Sequence, residues 1–165
     1  MRDRAKNAPG AENLVVNGDF SVVDPAENTV EAWSTWRDEN LSGGFQAQKG
    51  AVAIKGNPSA CYIQSIAIEP GKKYVVSGRF SAPRKSLGTM ETRWEDAEGG
   101  WFTESGGVTI WPDASVEPDA EGFREAAAIV EAPEKARRLV LLLSADFCNP
   151  DETVVFKDVE AYCVN

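Results

Sequence analysis

Aromatic side chains beside turns are the residues of this sequence best suited to hold a ligand. Trp101 follows two glycines in an acidic stretch, and Trp111 precedes a proline at the end of a short apolar run. A ring exposed at such a place can stack on an apolar ring face, such as the C–H face of a pyranose. Further candidate rings are Trp94, Phe102 and Tyr62. Trp94 lies in the middle of a predicted strand, where a core position is the simpler interpretation.

Planar polar side chains could complete such a site, because they form paired hydrogen bonds with hydroxyl or carboxylate groups. The candidates are Gln64, Arg79, Arg93 and Arg124. Guanidinium groups suit carboxylates, for example those of uronic acids. We expect Arg79 and Arg93 to lie on neighbouring strands with Glu91 and Glu95. The alternative is therefore a ladder of cross-strand ion pairs without function, worth ~0.2–1 kcal/mol each.

Acidic residues near the same turn raise the question of catalysis. Glu91, Glu95, Asp96 and Glu98 are close in sequence, and a glycosidase needs two carboxyl groups ~5–9 Å apart, one with its pKa raised by burial. A solvated turn provides no such burial. The sequence contains no histidine, which excludes Ser-His and Cys-His catalysis. We therefore predict that the chain is not an enzyme.

Composition limits the partners and the location. The formal net charge of −9 argues against nucleic acid and anionic membrane surfaces as partners. The sequence contains no run of 18 apolar residues that could span a membrane. Residues 1–12 lack the apolar segment of a signal peptide and are expected to be a polar linker. We expect a monomeric module from a longer secreted, extracellular or periplasmic protein. The three cysteines do not form a disulfide framework.

The elements that must position these side chains are β-strands. Apolar residues alternate with polar ones on both sides of Pro70-Gly71, which predicts a hairpin over residues 62–80. Residues 123–130 are predicted to be a strand despite three consecutive alanines, and residues 138–145 a strand buried on both faces. The fold class is all-β, a sandwich of two antiparallel sheets. Its predicted core contains Trp33, Ile66, Tyr74, Val76, Phe80, Leu141 and Val159.

Several motifs occur in the order found in a known family. They are Asn13-Leu-Val-Val-Asn-Gly-Asp-Phe-Ser21, Trp33 with Trp36, Gln64-Ser65, Pro70-Gly71-Lys72 with Tyr74, Ala132-Pro133 and Phe156-Lys157-Asp158-Val159. Together they resemble the β-sandwich carbohydrate-binding modules of families 4, 9, 16 and 22. The resemblance implies a jelly roll of the galactose-binding-domain type over residues 13–165. It also implies a non-catalytic module that binds a polysaccharide or oligosaccharide beside a glycoside hydrolase or polysaccharide lyase. Trp33 matches the family's buried tryptophan, and we expect Trp36 at the core margin.

Many modules of these families hold a structural calcium ion. The resemblance implies that its ligands include an acid just after the Asn-Gly-Asp-Phe segment and the first acid of the closing motif. Here Ser21 and Lys157 occupy places where the resemblance implies acids, and Asp19 and Asp158 are the remaining candidate ligands. Calcium requires several carboxylate or carbonyl oxygens at ~2.3–2.6 Å, so that we expect weak or absent calcium dependence. Two alternatives to the binding function stay open. One is a structural β-sandwich of a cell-envelope protein, and the other is a small glycan-active enzyme.

Overall fold

The computed structural model describes residues 1–84, 87–102 and 107–164. Two antiparallel sheets lie face to face, which confirms the predicted all-β sandwich. The first sheet has the order β10-β8-β12-β6-β3, with β9 also paired to β8. Its strands are β3 (Ser34–Arg37), β6 (Ala60–Ala67), β8 (Gly88–Glu95), β9 (Trp101–Phe102), β10 (Thr109–Ile110) and β12 (Arg138–Ala145).

The second sheet has the order β11-β7-β13-β5-β4. Its strands are β4 (Gly44–Gln48), β5 (Ala51–Lys55), β7 (Lys73–Ser81), β11 (Arg124–Glu131) and β13 (Thr153–Val164). A separate two-stranded sheet contains β1 (Val23–Asp24) and β2 (Thr29–Val30). Strand β11, which contains the three consecutive alanines, pairs with β7 along the whole length of β11. This pairing confirms the predicted strand over residues 123–130.

The core lies between the sheets and contains every residue predicted for it. Trp33, Phe20 and the inward side chains of β12 (Leu139, Leu141 and Leu143) belong to it. Strand β12 is buried on both faces because it is the middle strand of the first sheet and its outer side chains are covered as well. Alternate residues of each strand therefore point either to the core or to the outer face of the sandwich.

The stretch predicted as a hairpin instead connects the two sheets. Strands β6 and β7 flank Pro70-Gly71 as expected, but β6 pairs with β3 and β12, whereas β7 pairs with β11 and β13. Both strands turn their apolar residues to the shared core. Strands β12 and β13, which are also consecutive, are likewise in different sheets. Alternating apolar residues on both sides of a turn are compatible with a connection between the two sheets as well as with a hairpin within one sheet.

The two ends of the chain meet on the second sheet. Residues 1–12, expected to be a linker, contain helix α1 (Arg2–Lys6), whose Ala5 is buried against Val75 and Tyr162. Glu160 accepts hydrogen bonds from Arg2 Nε (2.6 Å) and Lys6 Nζ (2.9 Å). Within the described residues, no helix has the length and apolarity needed to cross a membrane.

The first motif, residues 13–21, is a series of turns. Asn17 and Phe20 have positive φ angles of 50° and 53°, and the Asn13 side chain accepts hydrogen bonds from the backbone of Val15 and Ala161. The hydrogen bond between Asn13 and Ala161 holds these turns against β13. All three cysteines are free; Cys61 and Cys148 are buried and Cys163 is exposed.

Candidate functional site

The outer face of the first sheet has an apolar floor. Cys61 and Ile63 on β6 lie beside Val140 and Leu142 on β12, and the four side chains form one cluster separate from the main core. Their neighbours in sequence point inward, so that the period-2 alternation of two adjacent strands creates this floor. Val140 and Leu142 are both buried.

Two tryptophans approach this floor from opposite edges of the sheet. Trp36 lies on β3, where it pairs with Cys61, and its surface is 55% exposed. Trp101 lies on β9, where it pairs with Glu95, and is 51% exposed. Together they border an open cavity of about 320 Å³, here called the groove. Its lining is Trp36, Ser59, Ala60, Cys61, Ile63, Glu91, Arg93, Trp101, Leu142, Ser144 and Asp146.

The charged groups of the groove are two carboxylates and one guanidinium. Arg93 Nη2 donates to Glu91 Oε2 at 2.8 Å, since residues two apart on β8 lie on the same face. Burial, and then the nearby charge of Glu91, raises the pKa of Asp146. Burial also raises the pKa of the Cys61 thiol to about 11, with further contributions from Glu91 and Asp146. The thiol is therefore protonated at neutral pH, and the groove is acidic.

Of the predicted site residues, Trp101 and Arg93 come together in the groove. Trp111 is 51% exposed but is not among the residues that line the groove. Phe102, the neighbour of Trp101, points to the core. The sequence after the Gly-Gly turn also predicts a short strand over residues 101–104, the second half of which lies outside the described residues.

Three predicted binding residues are instead structural. Tyr62 and Trp94 are fully buried between the sheets, because their positions on β6 and β8 face inward, and neither can stack on a ligand at the surface. Burial raises the pKa of Tyr62, whose hydroxyl donates to Gln46 O. Gln64 is buried as well: its amide donates to Val16 O (2.8 Å) and accepts from Val16 N (2.9 Å), which holds the N-terminal turns.

Arg79 and Arg124 lie on the other sheet. The expectation that Arg79 neighbours Glu91 and Arg93 is wrong, because β7 and β8 belong to different sheets. Arg79 forms ion pairs with Asp119, Glu121 and Asp158, and its pKa is raised by these acids. Arg124 on β11 donates to Val116 O at 2.9 Å. Both side chains therefore stabilise surface loops far from the groove.

Sequence reasoning missed Trp36, Ser144 and Asp146. Alternation gives no signal for Trp36, because the buried Trp33 precedes β3 and the residues Ser34, Thr35 and Trp36 are all exposed. Ser144 lies near the end of β12 and Asp146 just after it, in a segment that we expected only to supply core. Their place in the groove depends on pairing between strands distant in sequence.

The candidate calcium ligands Asp19 and Asp158 are engaged in other contacts. Asp158 Oδ2 accepts a hydrogen bond from Arg79 Nη1 at 2.8 Å, and the Lys157 ammonium binds Glu121 at 3.0 Å. Asp19 is exposed and caps its own turn by accepting from Ser21 N. Within residues 1–84, 87–102 and 107–164, no three His, Cys, Asp or Glu side chains are grouped to hold a metal ion. The cationic side chains next to Asp158 disfavour a divalent ion there.

Comparison with known proteins identifies the fold. No protein-family profile and no curated protein sequence matches the chain. Among solved structures, the enzymatically active domain of bacteriophage CBA120 tailspike protein 4 matches with a TM-score of 0.68 and 12% identity. The alignment covers 92% of this chain but only 21% of the tailspike chain. A cyclase from Fischerella sp. matches with a TM-score of 0.59 and 12% identity, over 93% of this chain and 97% of the cyclase.

Carbohydrate-binding modules match over their whole length. A family 4 module has a TM-score of 0.62 and 16% identity, with 91% of this chain and 99% of that module covered. A family 61 module in complex with β-1,4-galactotriose has a TM-score of 0.56 and 12% identity, with 93% and 99% covered. Modules of families 16 and 22 also match. The chain thus has the β-sandwich fold of carbohydrate-binding modules such as those of families 4, 16 and 22, as its sequence motifs predict.

Proposed function

We propose that this chain is a carbohydrate-binding module and that the groove binds a polysaccharide or oligosaccharide. The observation that carries this proposal is the pair of half-exposed tryptophans, Trp36 and Trp101, at opposite edges of an apolar floor. Two large rings left in water are costly unless they serve a partner, and sugar rings offer the flat apolar faces on which indoles stack. Polar groups of Glu91, Arg93 and Ser144 beside the rings suit the sugar hydroxyls.

The biological role we propose is targeting. The module belongs to a longer secreted protein and holds an attached glycoside hydrolase or polysaccharide lyase on its substrate. A tethered module raises the effective substrate concentration for the enzyme without catalysing a reaction. We further propose that the module acts as a monomer, because a second copy on the first sheet would cover the groove.

Alanine substitutions of the tryptophans test the site. The wild-type protein is screened on a glycan array, and the best ligand is titrated by calorimetry against Trp36→Ala and Trp101→Ala. Each variant should lose about 2 kcal/mol of binding free energy, roughly a 30-fold loss of affinity, because a stacking ring at a binding hot spot is removed. The matched control is Trp111→Ala, which removes an equally exposed indole outside the groove lining.

Thermal melts of all three variants serve as folding controls. Their midpoints should stay close to that of the wild-type protein, since an exposed ring contributes little to the core. Unchanged affinity in both groove variants, with folding intact, would refute the groove as the site. Loss of affinity in Trp111→Ala alone would place the site near β10.

A second candidate function has one specific observation in its favour. Glu91 and Asp146 are two carboxylates in the same groove, one with its pKa raised by burial, which is an arrangement that glycosidases use. Incubation of the bound glycan with the protein, followed by a reducing-end assay, distinguishes the functions. A module releases no new reducing ends. Release that is abolished in Glu91→Gln or Asp146→Asn would establish the glycan-active enzyme instead.

A further inference from the structure

We propose that the glycan recognised by the groove carries free amino groups, as in a 2-amino-2-deoxy sugar, and that Asp146 binds the ammonium. This inference rests on the proposed function and specifies its ligand class. The observation behind it is the charge of the groove: the charged side chains of its lining are Glu91, Arg93 and Asp146, two acids and one base. The arginine by itself would instead suggest an acidic sugar.

Arg93 is already bound to an acid. Its Nη2 donates to Glu91 Oε2 at 2.8 Å, and both side chains lie on the same face of β8. A sugar carboxylate that approached Arg93 would have to displace Glu91 or share the guanidinium with it. It would also meet the charge of Asp146 in a partly buried site, where like charges repel more strongly than in water. The groove therefore disfavours uronic acids.

Asp146 lacks a protein partner in the described part of the chain. Its carboxylate is half-buried and forms no hydrogen bond or ion pair there, whereas other acids that line strand ends, such as Glu152, are paired. Removal of an unpaired carboxylate from water costs free energy, which is consistent with the raised pKa of this group. An ammonium on the ligand would supply the missing counter-charge and three hydrogen-bond donors.

The surroundings of Asp146 also suit a cation. Two acids and one base line the groove, so the net charge of its side chains is negative. In agreement with this, burial raises the pKa of the Cys61 thiol to about 11 with further contributions from Glu91 and Asp146. The exposed faces of Trp36 and Trp101 attract cations through the ring quadrupole, and the net charge of −9 attracts a polycation over longer range.

Oligosaccharides with cationic, neutral and anionic sugar units test this inference. Oligomers of β-1,4-linked glucosamine, their fully N-acetylated counterparts and oligogalacturonides of the same length are titrated at pH 6 and low salt. We expect the glucosamine oligomer to bind at least tenfold more tightly than the acetylated one, and the oligogalacturonide not to bind. Asp146→Asn should remove most of this preference. Glu131→Gln, which removes an acid outside the groove lining, should preserve it.

The outcomes separate this inference from the proposed function. Equal binding of the amine and acetylated oligomers, or a preference that survives in Asp146→Asn, would overturn the amine inference. If the Trp36→Ala variant still loses affinity for a neutral glycan, the proposed function stands alone. Tighter binding of the oligogalacturonide would reverse the assigned charge preference. Failure of every glycan to bind would refute both proposals.

Discussion

Gly18 lies where the N-terminal turns meet the last strand. Its carbonyl accepts a hydrogen bond from Val159 N at 2.9 Å, and a Cβ at this position would lie 2.0 Å from Val159 O. Only glycine allows the two backbones to approach so closely. The Asn-Gly pair that contributes to the family resemblance is therefore a structural feature and not part of the ligand site.

Substitution of Gly18 by alanine should destabilise the fold. The methyl group would push the turn away from β13, and we expect a loss of about 2–3 kcal/mol, typical of overpacked sites. The measurement is urea unfolding monitored by tryptophan fluorescence. Gly44→Ala is the matched control, because a Cβ there meets no atom within 4 Å. Equal stability of the two variants would contradict the close approach.

Some residues of the candidate site could be predicted from the sequence around them, and others could not. Trp101 was identified because two glycines precede it, and Trp33 because the family motif places it in the core. Trp36 was misassigned to the core margin because its motif neighbour Trp33 suggested a shared role. The buried positions of Tyr62 and Trp94 follow from strand register, which alternation alone does not determine for strands with large residues on both faces.

Helix α1 is held on the second sheet by the buried Ala5 and by charged hydrogen bonds to Glu160. Burial by itself would raise the pKa of Glu160, but the hydrogen bonds from Arg2 and Lys6 outweigh it and hold the pKa below its ordinary value. A lowered pKa in the folded state means that the carboxylate stabilises the fold above the ordinary value near 4.5. This stabilisation is lost as the pH falls through the lowered value.

Glu160→Gln should therefore destabilise the protein most at neutral pH. We expect a loss of about 1–2 kcal/mol at pH 7, because charged hydrogen bonds are replaced by neutral ones. The difference in melting temperature between the variant and the wild-type protein should shrink as the pH falls from 5 to 3. Hydrogen exchange of residues 2–8 should be faster in the variant at pH 7. Glu131→Gln, in which only an exposed pair with Lys73 at 3.6 Å is broken, is the control.

A constant difference in melting temperature over this pH range would contradict the role of the Glu160 charge. Sequence reasoning did not find α1, since five helical residues in a polar segment show no apolar period. Its docking depends on a carboxylate more than 150 residues away in the chain. Local signals cannot report such a contact.

The strands themselves were more predictable than their partners. Strands β11 and β12 lie at the predicted residues, because their residue patterns and flanking turns are local features. The prediction that β6 and β7 pair with each other was wrong. A Pro-Gly turn can reverse the chain between two sheets as well as within one sheet. The groove depends on this difference: Cys61 and Ile63 reach its floor because β6 pairs with β3 and β12.

Direct backbone hydrogen bonds join the beginning of the domain to its last strand. Leu14 N donates to Ala161 O and Val159 N to Gly18 O, both at 2.9 Å. On the second sheet, Arg79 pairs with Asp158, and Lys157 pairs with Glu121. These ion pairs place positive charge at the position where the family resemblance implies calcium ligands. Because positive charge next to Asp158 disfavours a divalent ion, we expect weak or absent calcium dependence.

Thermal melts with 5 mM CaCl₂ and with excess EDTA, at equal ionic strength, should therefore nearly coincide. A ligand that binds only the folded state stabilises it by RT ln(1 + [L]/Kd), so that a site occupied at 100 times its Kd would add about 2.7 kcal/mol. That free energy corresponds to a rise of roughly 5–10 °C for a domain of this size. Such a rise would show that calcium binds elsewhere or displaces Arg79 and Lys157. Lys157→Asp then serves as a gain-of-function control: it restores the acid that the resemblance implies, and calcium dependence in this variant alone would locate the site beside Asp158.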